Sequence, residues 1–220
     1  AAAVTLVIQG CGGVSAASSD PIAQNRKSTE YYLNNGQTRI SEEEARVAVA
    51  SGKAKNVILF VGDGMGVSTV TAARIFDGQM PSKDGESNSL YMEKFPYLAM
   101  SKTYSVNQQT ADSAPTMTAM VTGVKTKESF LSTVSGIKKN DPAGCAETNR
   151  LGTIAELAEV AGMSTGVVST ARITHATPAA VYAHTPNRDA ESDKDQTDLI
   201  TAGALAATGC TDIAKQLVNF

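Results

Sequence analysis

The sequence predicts an α/β protein with a doubly wound, mostly parallel central sheet and helices on both of its faces. Residues 56–61 form, after Asn56, a continuous apolar run, which is typical of a strand buried on both faces. A helical apolar pattern over residues 153–161 then ends at Gly162 and precedes a strand-like segment, 164–170. This helix–glycine–strand order is the one that such a fold requires. With 220 residues, the chain can bury one sizeable core.

The composition restricts the partners of the protein. A net charge of -3 leaves no basic stripe to neutralise a phosphate backbone, so we expect no specific nucleic-acid partner. An anionic small substrate remains compatible, because metals or a single arginine supply positive charge locally. The sequence has two histidines, His175 and His184. A site for two zinc ions normally recruits several histidine and carboxylate ligands, so this chain alone is poorly stocked for one.

The first eleven residues are predicted to be the remnant of an export signal. Residues 1–8 form an uncharged apolar run that is far too short to span a bilayer. The run leads into Ile8-Gln9-Gly10-Cys11, which resembles a bacterial lipobox and would make Cys11 a lipid-anchoring residue. The alternative is a cleaved secretory signal that happens to contain a cysteine. Either way, we expect an exported protein, periplasmic or lipid-anchored to the bacterial envelope.

Residues 12–55 are predicted to be a linker followed by an N-terminal helix. The segment 12–40 is rich in Ser, Asn and Gln and has weak periodicity, as a solvated linker does. Ser41 and the three glutamates after it supply a helix cap and a first turn favoured by the helix dipole, so we expect a helix to about Ala50.

Residues 56–220 are predicted to be the N-terminal part of a catalytic domain, with further helices near the end of the chain. One is expected from Asp193 to Ala207, ending at Gly209. The final segment, 212–220, lacks a closing polar tail, so we expect the chain to end within a domain. Cys145 and Cys210 are a candidate pair in an oxidising compartment. Bridging that loop of about 65 residues would stabilise the fold by about 4 kcal/mol, and two separate buried thiols are the alternative.

Asp63 is the first candidate site residue. It follows the predicted strand of residues 56–61, and ligands bind at the carboxyl ends of strands in such sheets. Flanking glycines let the backbone turn sharply, and an exposed carboxylate is a good ligand for a hard metal ion. A tight turn whose aspartate bonds local amides is the alternative.

Ser113 is the second candidate, at the predicted start of a helix that ends at Gly123. Pro115 fits the first turn, where a missing N–H costs nothing. The free N–H groups and the dipole at a helix start favour an anion, which would help Ser113 meet a phosphate. The alternative is an ordinary helix cap made by Asp112 and Ser113.

The third candidate cluster covers residues 174–188. On a segment predicted to be extended, His175 and Thr177 point the same way and could reach one metal, directly or through water. Arg188 could hold a phosphate with two parallel hydrogen bonds. Taken singly, a surface or core histidine and a solvated arginine explain these residues equally well.

Together, these segments resemble the alkaline phosphatase family, in order and at similar separations, from about Asn56 to Leu217. The matching motifs are Val61–Gly66, Phe95–Tyr97, Ser101–Tyr104, Asp112–Ala114, Thr122–Thr126, His175–Ala179 and Ala183–Arg188. One such match is weak evidence, whereas all of them in order are highly specific.

The resemblance implies a phosphate monoester hydrolase with a phosphoserine intermediate. It implies that Ser113 is the residue transiently phosphorylated and also a zinc ligand. It further implies that Arg188, rather than Arg172, grips the phosphate and that Asp112 orients it.

The family's cofactors are two zinc ions and one magnesium ion. By resemblance, Asp63 bridges a zinc and the magnesium site, and Thr177 is a magnesium-site ligand. His175 stands beside that site where relatives carry Asp or His, and a histidine there is expected to favour a second-row ligand set or zinc, so the resemblance leaves the metal at this position open. The Cys145–Cys210 pair matches one that is bridged in some relatives. The other zinc ligands and a magnesium-site glutamate are expected beyond Phe220, so we expect no significant turnover from residues 1–220 alone.

The family also implies a homodimer when the protein is complete. Two alternatives stay open: a diesterase or sulfatase of the same superfamily, and a non-catalytic exported domain that binds phosphate or metal. Arg188 and the Asp112-Ser113 pair argue against the first, since sulfatases use a modified Cys or Ser in a different motif and diesterases commonly use Thr.

Overall fold

The computed structural model describes residues 37–38, 40–42, 44–45, 54–80, 85–95, 97–201 and 210–220. The predicted export signal with Cys11 and most of the predicted linker lie outside these ranges. The predicted start of a helix at Ser41 is wrong, because the described residues 37–38, 40–42 and 44–45 are all helical. The Ser41 hydroxyl donates to the Gln37 carbonyl at 3.1 Å, a bond of a residue within a helix rather than of its cap. No described helix is long and apolar enough to cross a membrane.

The chain divides into two compact units. The smaller comprises Ala1–Val57 and Asp77–Leu98, and the larger comprises Ile58–Phe76 and Ala99–Phe220. The α-helices of the described ranges are α1 (Val67–Gln79), α2 (Ser113–Thr122), α3 (Ile154–Val160), α4 (Ala176–Ala179), α5 (Asp193–Thr201) and α6 (Ile213–Val218). The 3₁₀ helices are Tyr91–Lys94, Pro142–Cys145 and Glu147–Asn149.

Local capping chemistry sets the ends of the predicted helices. Thr153 accepts a hydrogen bond from the Glu156 backbone N–H, and the Glu156 carboxylate accepts one from the Thr153 N–H, so α3 begins with a capping box. Gly162 follows with a φ of 76°, a left-handed conformation that favours glycine. Helix α5 begins at Asp193 as predicted, while its predicted end at Gly209 lies outside the described residues.

The predicted parallel sheet stays a prediction. Among the described residues, the pairing of extended segments is limited to two antiparallel bridges, Leu131 with Thr185 and Thr133 with Arg150. Residues 58–60, within the first predicted strand, are 60–90% exposed. A strand forms only when a neighbouring segment accepts and donates its backbone hydrogen bonds, and in the described structure this run has no such neighbour.

The core of the larger unit lies between α2 and α4. Small side chains dominate the contact, so the two helices approach closely. The buried cluster consists of Ala114, Met117, Val121, Leu131, Ala176, Ala179, Ala180, Tyr182, Ala183 and Ile213. Helix α2 also buries Thr118. The Thr118 hydroxyl donates to the Phe130 carbonyl at 3.2 Å and accepts from the Ser132 N–H at 2.9 Å. These bonds hold the loop that follows α2 against α2 itself.

A disulfide joins Cys145 to Cys210, with 5.2 Å between the two Cα atoms. It links the second 3₁₀ helix to the segment just before α6. The candidate pair of the sequence is therefore a bonded pair in the structure.

Candidate active site

Ser113 is the first residue of α2, as the sequence predicts. Asp112 caps the helix in an extended conformation, and its Oδ2 accepts from the Ala114 N–H at 3.4 Å. The other carboxylate oxygen, Oδ1, accepts from the Ser129 N–H at 3.4 Å. The Ser113 hydroxyl therefore lies at the positive end of a ten-residue helix, a position that favours a phosphate.

Arg188 reaches this helix start from a segment 75 residues further along the chain. One guanidinium nitrogen, Nη1, donates to Asp112 Oδ2 at 3.0 Å and to Ser113 Oγ at 2.9 Å. The arginine side chain is only 22% exposed, so the group is held rather than solvated. The structure thus brings the three residues Asp112, Ser113 and Arg188 together.

Arg172 has a different partner. Its guanidinium donates to both oxygens of Glu191, at 2.9 and 2.7 Å, and the Thr174 hydroxyl donates to the same carboxylate at 2.6 Å. The hydrogen bond from Arg172 is the main reason that the pKa of Glu191 falls to about 2. Of these two arginines, Arg188 is the one in contact with Ser113.

His175 contacts the second terminal nitrogen of the Arg188 guanidinium, the one that does not bond Asp112 and Ser113. Its Nε2 is 3.1 Å from Arg188 Nη2. A guanidinium only donates hydrogen bonds, so Nε2 is the acceptor here. The other ring nitrogen, Nδ1, is buried without a hydrogen-bond partner and lies 4.0 Å from Asp63 Oδ2. That distance is too long for a hydrogen bond, so the atom faces a carboxylate without bonding it.

The prediction that His175 and Thr177 lie on one extended segment is wrong. Residues Ala176–Ala179 form the single turn α4, and His175 is the extended residue before it. Alanine favours a helix, and Pro178 is tolerated because the first-turn N–H groups need no partner within the helix. The two side chains still converge on one carboxylate, since the Thr177 hydroxyl donates to Asp63 Oδ2 at 2.6 Å.

The donors around Asp63 fit part of a magnesium site. A carboxylate and a hydroxyl oxygen lie side by side, which suits a hard cation that keeps several water ligands. Gly64, with a φ of 66°, makes the turn that carries Asp63. Zinc is different: the described residues contain no group of three His, Cys, Asp or Glu side chains that could hold a metal.

His184 takes no part in this site. Its ring is buried and contacts the Ser132 carbonyl through Nδ1 at 2.8 Å and the Glu156 carboxylate through Nε2 at 2.9 Å. It therefore ties α3 to the loop after α2, which no local pattern in the sequence indicated.

The sequence reasoning also missed Asn187 and Asn140, which bond to each other directly beside Arg188. The available signal was the run Asn140-Asp141-Pro142, which favours a turn. Nothing in the sequence marked Asn187 as the partner of that turn.

Comparison with known proteins defines the class. The family profile described as "Alkaline phosphatase" matches residues 54–220. The chain is 41% identical over 216 residues to the tissue-nonspecific alkaline phosphatase of Gallus gallus, covering 98% of this chain and 39% of that protein. It is 49% identical over 165 residues to an alkaline phosphatase of Gadus morhua, covering 75% of this chain and 33% of that one.

A solved structure, the alkaline phosphatase from the Antarctic bacterium TAB5, aligns with a TM-score of 0.51 and 28% identity over 75% of this chain and 45% of that chain. The chain belongs to the alkaline phosphatase family. Its fold class is accordingly α/β, as predicted. The chain spans less than two-fifths of the length of the two curated relatives just described.

Proposed function

We propose that the protein containing this chain hydrolyses phosphate monoesters through a phosphoserine intermediate on Ser113. The observation that carries the proposal is the contact of Arg188 Nη1 with both Asp112 Oδ2 and Ser113 Oγ. A guanidinium beside a serine hydroxyl, at the start of a helix, is a site shaped for a bound phosphate. The match to the alkaline phosphatase family supports the choice of phosphate monoesters.

The reaction has two displacements. In the first, Ser113 Oγ bonds to phosphorus, the phosphorus–oxygen bond to the alcohol breaks, and the alcohol leaves with a proton. In the second, water displaces the Ser113 oxygen from phosphorus and releases inorganic phosphate, which regenerates the hydroxyl. Each displacement needs a deprotonated attacking oxygen and compensation for the charge on the phosphoryl oxygens.

The residues of this chain divide that work. Arg188 is proposed to hold two equatorial phosphoryl oxygens and to offset their charge, and the N–H groups at the start of α2 add to it. Asp112 keeps the guanidinium in place through its 3.0 Å ion pair. The same carboxylate caps α2, so the nucleophile and the arginine share one anchor.

Metal ions are proposed to complete the site. Asp63 and Thr177 would hold magnesium, with His175 Nδ1 bordering it, because these donors already converge. Two zinc ions, with Asp63 and Ser113 among their ligands, follow from the family alone, since the described residues supply no further zinc ligands. When bound, such ions lower the pKa of a hydroxyl or water and so supply the deprotonated nucleophile.

The test compares the intact protein with its Ser113→Ala variant on a phosphate monoester, a phosphate diester and a sulfate ester. We expect turnover of the monoester above the other two and its loss in the variant. Acid quenching with a ³²P-labelled monoester is expected to trap label on Ser113. Dominant diesterase activity would overturn the substrate class, and full monoesterase activity of Ser113→Ala would overturn the nucleophile.

Localisation and assembly are proposed on the sequence and the family. The protein is proposed to be exported, with Cys11 as the lipid anchor, and to form a homodimer when complete. Fractionation of cells expressing the wild type and Cys11→Ser tests the anchor, because only the wild type should enter the membrane fraction. Light scattering of the purified intact protein tests the dimer.

A further inference from the structure

Asn187, the residue before Arg188, is 2% exposed, and both ends of its side-chain amide are bonded. Its Nδ2 donates to Asn140 Oδ1 at 2.6 Å, and its Oδ1 accepts from the Asp189 N–H at 2.9 Å. The Asn187 N–H also donates to the Thr185 hydroxyl at 3.2 Å. The chain is therefore fixed on both sides of Arg188.

Asn140, whose Oδ1 accepts the hydrogen bond from Asn187, is held in place by its own turn. It has a φ of 64°, the left-handed region that asparagine tolerates better than most residues. The turn around it closes where the Asp141 N–H donates to the Lys138 carbonyl at 3.1 Å. The Asn140 N–H donates to the Pro186 carbonyl at 3.5 Å, so backbone and side chain of this one residue both face the segment before Arg188.

The burial of the Asn187 amide indicates that this residue positions Arg188 rather than only filling space in the core. An amide taken out of water destabilises the fold for each group left unpaired, so a buried asparagine is an unfavourable way to fill space. Here the side-chain bonds of Asn187 go to the residue after Arg188 and to the turn of Asn140. Arginine has a long flexible side chain, and its guanidinium meets Ser113 Oγ at 2.9 Å only if the backbone that carries it is fixed.

We propose that Asn187 and Asn140 are positioning residues that hold Arg188 against the phosphate. This inference rests on the proposed function, because it assigns Arg188 the role of phosphate ligand. Among the described residues, the side-chain bonds of Asn187 go to Asn140 and Asp189 and none goes to Ser113, so both asparagines are assigned an effect through the arginine.

The test uses the intact protein and three variants of Asn140 and Asn187. Asn140→Gly keeps the left-handed turn but removes the acceptor, Asn140→Asp keeps an acceptor in place, and Asn187→Ala removes the buried amide. Each is made with Arg188 present and in an Arg188→Ala background. The readouts are KM and kcat for a monoester and the inhibition constant of inorganic phosphate.

With Arg188 present, we expect Asn140→Gly and Asn187→Ala to raise KM and the phosphate inhibition constant about tenfold, since small misplacements of a phosphate ligand are costly. Asn140→Asp should stay within about twofold of the wild type in the same comparison. In the Arg188→Ala background, each variant should change the constants less than about twofold, because its target is absent. Lys139→Ala, in the same turn with an exposed side chain, is the control and should change nothing.

Equal effects of Asn140→Gly in the two backgrounds would overturn the proposal, as would wild-type phosphate affinity in both Asn140→Gly and Asn187→Ala. The proposed function fails by a different outcome, in which Arg188→Ala itself binds phosphate as tightly as the wild type. Urea unfolding of each variant identifies a general loss of stability, which would act alike in both backgrounds.

Discussion

Replacing Glu156 tests how far the fold of the larger unit depends on one partly buried carboxylate. Glu156 accepts from the Thr153 N–H at 2.7 Å and from His184 Nε2 at 2.9 Å, while the other ring nitrogen of His184 faces the Ser132 carbonyl. Removing the carboxylate leaves two buried donors without an acceptor.

The expected loss of unfolding free energy in Glu156→Ala follows from those two donors, the Thr153 N–H and His184 Nε2. Thr153 is fully buried and the His184 side chain is 4% exposed, so each unpaired group costs about 1–3 kcal/mol. Glu156 itself is 35% exposed, which lets some water enter after truncation and reduces the loss. We therefore expect Glu156→Ala to lower the free energy of unfolding by about 3 kcal/mol. Glu156→Gln keeps one acceptor and should cost only about 1 kcal/mol.

The pH dependence has a defined sign. Burial acts to raise the pKa of Glu156, but the hydrogen bonds from the Thr153 backbone and from His184 outweigh it, so the pKa lies below its usual value of 4.5. A carboxyl with a lowered pKa in the folded state stabilises the protein above its unfolded pKa and loses that effect as the pH falls through the folded value. The difference between wild type and Glu156→Ala should therefore be full at pH 7 and should shrink below pH 4.5.

Urea unfolding followed by circular dichroism at pH 7 and pH 3.5 measures these differences. Glu159→Ala, on the same helix, is the matched control, because the exposed Glu159 carboxylate bonds the N–H and the hydroxyl of Thr165 and should contribute at most about 1 kcal/mol. A loss in Glu156→Ala no larger than that in Glu159→Ala would refute the reasoning, and so would a loss that does not depend on pH.

Three further changes test the caps, the ion pair and the disulfide. Gly123→Ala should lower the free energy of unfolding by about 1 kcal/mol, because Gly123 ends α2 with a φ of 75°; Gly152→Ala, which has open space and no such φ, is its control in the same urea titration. Glu191→Gln should lower the melting temperature at pH 7 but not near pH 2, since the pKa of Glu191 is about 2 and its contribution is lost as the pH falls from 4.5 to that value; equal shifts at both pH values would contradict this. Cys210→Ser should cost about 4 kcal/mol of unfolding free energy, and dithiothreitol should have the same effect on the wild type but none on the variant.

The sequence predicted α2 and α3 because their signals are local. The cap at Asp112, the proline in the first turn and the glycine after the last turn all lie within the helix α2 or next to it. The same is true of the Thr153 and Glu156 capping box. These signals act over at most four residues of chain, so no knowledge of packing is needed to find them.

The segment from His175 to Thr177 shows where local reasoning failed. Two polar residues with one residue between them fit an extended segment, which is what the sequence predicts here. The turn of α4 forms instead, with its alanines packed in the core against α2. Packing selected between two conformations that the local sequence allowed, and the two side chains reached Asp63 by a different geometry.

By itself, the sequence determined the bounds of α2 and α3 and the start of α5, that Ser113 stands at the start of α2, and which family the chain resembles. Only the tertiary structure decided that Arg188 contacts Ser113 while Arg172 binds Glu191, that His175 accepts from Arg188, and that Asn187 bonds Asn140. The physical reason is the number of residues that separate the two partners of each contact along the chain. A cap is a contact between neighbours, whereas these contacts join residues 13 to 75 positions apart, and only the packed core brings such residues together.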